Sequence, residues 1–204
     1  MTAYRVRLAA APDAEAICRI YNQGIEDRVA TLETELRTPD ERCRWLANRS
    51  PRHPVIVAEF AEFIVAGTVS PAHTEGGLRQ RRPGSGSADN PSGSSTDNPS
   101  ALVGWASLNV FNAREAYRFV ADISVYVERG WRGRGVGRAL LEKLTELGRA
   151  HGFHKLVLSA FPGNAGGMAL YARSGFRTVG IYHEQGQLDG KWVDTIVMEK
   201  LLLV

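Results

Sequence analysis

Residues 131–140 read WRGRGVGRAL. Glycines stand at 133, 135 and 137 and arginines at 132, 134 and 138, and an apolar run begins at Leu140. Three readings compete for such a bend: a cradle for phosphate groups, a basic loop for nucleic acid, or a plain glycine-rich turn. A dinucleotide-binding fingerprint needs a further glycine at Arg138, or at Leu140 when counted from Gly135. A nucleoside-triphosphate loop needs lysine where Val136 stands. Both fail. What remains is a strand, then Arg132 to Gly137, then a helix. Gly135 and Gly137 let the backbone turn with its N–H groups outward, and the helix start adds the positive end of its dipole. With the charge of Arg132 and Arg134, this describes a pyrophosphate site for a nucleotide-like ligand. Nucleic-acid recognition would want interleaved aromatics and a basic stripe, and neither is present.

The 204 residues carry a net charge of only +3, with 44% hydrophobic and 23% charged residues, as in an ordinary soluble globular protein. No run of apolar residues is long enough to span a membrane. The start, MTAYRVRLAAAPDAEA, lacks the apolar stretch of a signal peptide. Cys18 and Cys43 have no partners at metal-ligand spacing and suit a reducing cytoplasm. The five histidines show no ligand spacing either, so no metal is expected. Residues 83–100, PGSGSADNPSGSSTDNPS, break the pattern. They hold too little apolar surface to offset the entropy of ordering. The expectation is one domain over 1–204 with a solvated, mobile insertion at about 71–100. Charges balance within that insertion, so the rest of the chain carries the net +3.

Tyr4 to Leu8 reads as a short strand. Ala14, Ile17, Ile20 and Tyr21 then recur at helical spacing. Thr38-Pro39-Asp40-Glu41 is a capping box with proline at the first helical position. VIVAEF (55–60), FIVAGTV (63–69) and LVGWASLNVF (102–111) are apolar β runs, and FVADISVYVE (119–128) is a fourth, long strand. Leu140, Leu141, Leu144 and Leu147 mark a helix that Gly152 can end. KLVLSAF is a fifth strand, MALYARSG a short helix, and FRTVGIYHE and WVDTIVMEKLL form a hairpin about Asp189-Gly190. The order describes an α+β fold with a mixed sheet.

With the elements placed, Arg132-Gly133-Arg134-Gly135-Val136-Gly137-Arg138 after a long strand resembles the acyl-CoA pyrophosphate loop of the GCN5-related N-acetyltransferases (GNAT). Downstream, Asn164 opens a loop before Leu170-Tyr171-Ala-Arg-Ser-Gly175-Phe176, the second motif of that family, in the expected order and spacing. The resemblance covers nearly the whole chain outside 71–100. It implies the GNAT fold, a mostly antiparallel sheet flanked by helices and splayed between strands 4 and 5. It also implies acetyl-CoA as co-substrate, with pantetheine pairing along Ile123, Val125 and Val127 as a peptide would pair with a strand edge. IYNQGIEDRVATLETELRTPDE (20–41), NAREAYRFVADISVYV (112–127) and LDGKWVDTIVMEK (188–200) narrow the likeness to the phosphinothricin and arsinothricin N-acetyltransferase branch. Herbicide-resistance members carry His within W-H-D of the last strand. Trp192-Val193-Asp194 here puts the arsinothricin type ahead. The branch implies a homodimer and resistance to a toxic glutamate-like amino acid.

The chemistry needs four things. The α-amine must lose a proton before attacking a thioester, and Asp122 is the candidate general base. It shares a strand face with Val120, Ser124 and Tyr126, and an acid inside a β run needs something polar opposite it. A structural carboxylate paired to an arginine is the alternative. The developing oxyanion needs a donor, a backbone N–H near Ile123 to Val125. The departing thiolate needs a proton, and the resemblance assigns Tyr171, which could otherwise be core. The acceptor's anionic groups call for guanidinium forks. Arg114 is the first candidate, with Tyr117 beside it, and Arg37 is a further one. Two rival functions stay open: acetylation of another amine, such as a polyamine or a protein N-terminus, and a non-catalytic acyl-CoA-sensing module.

Overall fold

The computed structural model describes residues 4–60 and 101–202. Apolar stripes along the longer helices and apolar runs in the inner strands set the elements. β1 (Tyr4–Leu8) leads to α1 (Ala14–Glu26), whose Ile17, Ile20 and Ile25 are buried. α2 (Pro39–Ala47) starts at Thr38, where the capping box forms in full: Thr38 Oγ1 accepts from the Glu41 N–H and the Glu41 carboxylate accepts the Thr38 N–H at 2.7 Å. β2 (Val55–Phe60), β3 (Ala101–Val110) and β4 (Val120–Val127) follow. α3 (Val136–Ala150) buries Leu140, Leu141 and Leu144, and the chain turns away at Gly152 with φ +72°. β5 (Lys155–Ala160), α4 (Ala165–Arg173), β6 (Arg177–Leu188) and β7 (Lys191–Leu201) complete the order. Asp189 and Gly190 both have positive φ, as a tight hairpin turn requires.

The seven strands form one sheet in the order β1-β2-β3-β4-β5-β7-β6. Every pairing is antiparallel except β4 with β5. The expected mixed, mostly antiparallel sheet is therefore present. FIVAGTV and the 71–100 insertion lie outside the described residues. On one face α3 and the apolar side of α4 cover Ile56, Val103, Leu108 and Ile123. On the other, α1 packs on Val57, Leu102 and Trp105, with Trp45 of α2 against them. Gly104 brings α3 close to the sheet, for a Cβ there would stand 2.9 Å from Val136. Among the described residues no helix is long and apolar enough to cross a membrane.

Candidate active site

β4 and β5 pair only through Val120–Lys155, Ala121–Leu156 and Asp122–Val157. Beyond Asp122 the strands part, so the splay expected between strands 4 and 5 begins at that residue. The Glu128 N–H donates to Val103 O of β3. Backbone groups alternate along a strand, so Val127, Val125 and Ile123 turn theirs the other way, into the fork. Arg132 Nε donates to Val127 O from that side at 3.3 Å.

The fork opens on a groove of ≈ 1160 Å³. That exceeds the roughly 300–1,000 Å³ of ordinary small-ligand pockets and suits a long ligand. One end is the glycine-rich turn. Gly133 has φ +76° and Gly135 φ +93°, conformations that L side chains rarely adopt, and Gly135 starts α3 without a side-chain cap. The first-turn N–H groups of Val136, Gly137 and Arg138 have no acceptor within the helix and face a ligand site by geometry. Gly137 lets α4 approach, because a Cβ there would lie 2.7 Å from Leu170. The arginines are less free than their sequence suggests. Arg132 pairs with Asp27 at 2.7 Å and Arg138 with Glu142 at 2.7 Å, whereas Arg134 lies over the Trp131 ring with no carboxylate partner among the described residues. Asn164 caps α4, its Oδ1 accepting from the Gly167 N–H at 2.9 Å, and it lines the same groove. Tyr171 lines it too. Burial, with the Asp122 carboxylate adding to it, pushes the Tyr171 phenol up to about 12, so it stays a proton donor.

Asp122 is half-buried at the apex of the fork. Burial pushes its carboxyl up to about 6, against hydrogen bonds from Asn109 and the Ile123 N–H that favour the charged form. Asn109 sits opposite Asp122 on β3 and donates to its Oδ2 at 3.3 Å and to Ser124 Oγ at 3.0 Å. Its own Oδ1 accepts from Ser107 Oγ at 2.9 Å and from Arg49 at 3.1 Å. Two donors on that oxygen fix the amide with its NH₂ toward Asp122. Sequence reading overlooked Asn109 and Arg49. The alternation Ser107-Leu-Asn109 within an apolar strand was the signal for the first; nothing local marks Arg49.

Asn109 and Ser124 also line a second cavity of ≈ 380 Å³ on the α1–α2 face, and Tyr126 lines both spaces. Arg37 is in its wall, paired with Glu33. Arg114 and Tyr117 are on the exposed connection from β3 to β4 and line neither space. Arg42 and Trp105, which sequence reading did not single out, are in the second cavity's wall.

A parallel pair splayed at a carboxylate, with an uncapped helix start at the fork's far end, defines an acyl-CoA-dependent acyltransferase site. A family model for the acetyltransferase (GNAT) family matches residues 86–176. The phosphinothricin N-acetyltransferase of Streptomyces coelicolor is 27% identical over 97% of this chain and 96% of its own length. The L-methionine sulfoximine/L-methionine sulfone acetyltransferase of Pseudomonas aeruginosa is 36% identical over 51% of this chain and 60% of its own. Among solved structures, a GNAT phosphinothricin acetyltransferase from Sinorhizobium meliloti in complex with acetyl-CoA superimposes with a TM-score of 0.75. It is 25% identical, with 98% of this chain and 89% of that one covered. The chain has the GNAT fold and is an N-acetyltransferase, with acetyl-CoA as its acyl donor.

Proposed function

We propose that the protein acetylates the α-amine of a glutamate-like amino acid with an anionic tip, of the arsinothricin or phosphinothricin type, and so confers resistance to it. Acetyl-CoA supplies the thioester. The Gly133–Arg138 turn, Arg132 and Asn164 hold its phosphate and pantetheine parts, and Ile123, Val125 and Val127 offer backbone groups to its amides and to the developing oxyanion. Asp122 takes the proton that the attacking amine must lose. Tyr171 returns a proton to the sulfur as its bond to the acyl carbon breaks. Arg114 and Tyr117 follow directly on the Asn109–Asp122 end of the strand pair, and we assign them to the acceptor's α-carboxylate; Arg37 borders the acceptor cavity.

The observation that carries this reading is the position of Asp122. Its carboxyl, raised to about 6, accepts from Asn109, which lines the second cavity, and acts on the Tyr171 phenol, which lines the groove, so a base for an amine near neutral pH belongs there. A sensing module would have no use for a half-buried, unpaired carboxylate there. The arginines around the second cavity disfavour a polyamine. Val179, Ile181, Tyr182 and Trp192 are exposed on the β6–β7 hairpin and support the homodimer. The free thiols of Cys18 and Cys43 support a reducing cytoplasm. A thiol-release assay with acetyl-CoA across arsinothricin, phosphinothricin, methionine sulfone, a polyamine and an N-terminal peptide tests the acceptor. Turnover of the peptide or polyamine above the amino acids overturns it, and light scattering tests the dimer.

A further inference from the structure

Arg42 is 9% exposed and Trp105 2%, and both line the second cavity. Neither Arg42 Nε nor Trp105 Nε1 has a hydrogen-bond partner, and no carboxylate pairs with the Arg42 guanidinium among the described residues. The cavity's two carboxylates are engaged elsewhere: Glu33 with Arg37, and Glu41 in the Thr38 cap. Arg42 does lie over aromatic rings, 3.9 Å from the Tyr21 centroid and 5.3 Å from that of Trp45. Those contacts use the flat face of the guanidinium and leave its in-plane Nε–H unsatisfied. A buried cation and a buried indole N–H, both unpartnered on one small cavity, are costly unless a ligand meets them.

We infer that Arg42 and the Trp105 N–H form the subsite for the distal anion of the acceptor, the group at its side-chain tip. The inference rests on the amino-acid reading above and deepens it. Register decides which anion is meant. Tyr21, under Arg42, packs on Trp105 and Tyr126, which are partners across β3 and β4. Asn109 and Asp122 are also partners, four residues further along each strand, about 14 Å away. Of the acceptor's two anions, the one at the tip of an extended side chain lies farther from the amine and therefore nearer to Arg42, whose own long side chain meets it. The subsite favours acceptors whose second anion stands at the end of an extended side chain.

The test compares wild type with Arg42→Gln on two amino acids of similar length, phosphinothricin with its anionic tip and methionine sulfone with a neutral one. The variant should raise KM for phosphinothricin roughly ten- to a hundred-fold. KM for methionine sulfone and for acetyl-CoA should stay within about twofold. Glutarate, which has no amine, should quench tryptophan fluorescence saturably in wild type and not in the variant. Where Arg42→Gln fails to fold, Arg42→Lys replaces it and should lose the fork's share of the effect. Equal losses on both amino acids, or glutarate binding unchanged by the substitution, overturn the inference. Glutarate binding that depends on Arg42 in an enzyme that acetylates neither amino acid upholds the subsite and overturns the acceptor reading instead.

Discussion

Asn109 Nδ2 stands 3.3 Å from Asp122 Oδ2 across the β3–β4 pair, and Arg49 and Ser107 hold the amide in that orientation. Burial still wins over this hydrogen bond and raises the Asp122 carboxyl from 3.8 to about 6. In the folded state the proton is therefore held more tightly than in the unfolded chain. Stability from this group is full below about pH 4 and falls as pH rises to about 6. Asp122→Asn should melt higher than wild type at pH 7–8, with the difference vanishing near pH 4. Its turnover should fall roughly a hundred-fold or more at pH 7, with partial recovery as alkaline pH frees the amine. Full turnover at pH 7 would give the proton to another base.

If Tyr171 protonates the departing thiolate, Tyr171→Phe removes that donor and little else, since the ring still packs on Phe176 at 6.0 Å between centroids. kcat should fall roughly a hundred-fold, with acetyl-CoA affinity retained in a direct binding measurement. A drop in affinity with kcat unchanged would make Tyr171 a wall of the groove.

Gly135→Val forces a β-branched residue into φ +93°, although the space around a Cβ there is open to 4.0 Å. Strain of about 1–2 kcal/mol should lower the melting temperature modestly. KM for acetyl-CoA should rise about tenfold as the turn leaves its cradle shape, while acceptor binding holds. Unchanged acetyl-CoA affinity would return the stretch to a plain turn.

Arg114→Lys keeps charge but loses the planar fork. If Arg114 meets the α-carboxylate, catalytic efficiency should fall roughly ten- to a hundred-fold for phosphinothricin and methionine sulfone alike. The α-carboxamide of either should be spared. Equal losses on the carboxamide would assign Arg114 to the fold.

Phe60 and Ala101 are register partners at the open end of the β2–β3 pair. A short turn can therefore bridge the strands once the intervening chain is cut back. Replacing residues 73–99 with a glycine-containing turn should leave kcat and melting temperature nearly unchanged. A large loss of folded protein would show that this segment contributes to the core.

The linear chain by itself determined the elements and made one half of the candidate site legible. Period-3.6 leucines in α3, the Thr38–Glu41 capping box and the Asp189-Gly190 turn act over a few residues, so their signals are local and legible. The glycine-rich turn is legible for the same reason, because positive φ at Gly133 and Gly135 is a property of single residues. The surroundings of Asp122 and of the second cavity were not legible. Asn109 becomes Asp122's partner only through antiparallel register, and Arg49 reaches Asn109 across 60 residues of chain. Asp27, from the end of α1, engages Arg132, which reads as free charge in the sequence. Arg42 looks like any surface arginine of a polar helix until α2 lays it over Tyr21 and buries it. Burial and pairing depend on which distant residues the fold brings within a few ångströms, and those two quantities set a carboxyl's pKa and a cation's need for a partner. Tertiary structure alone decides them.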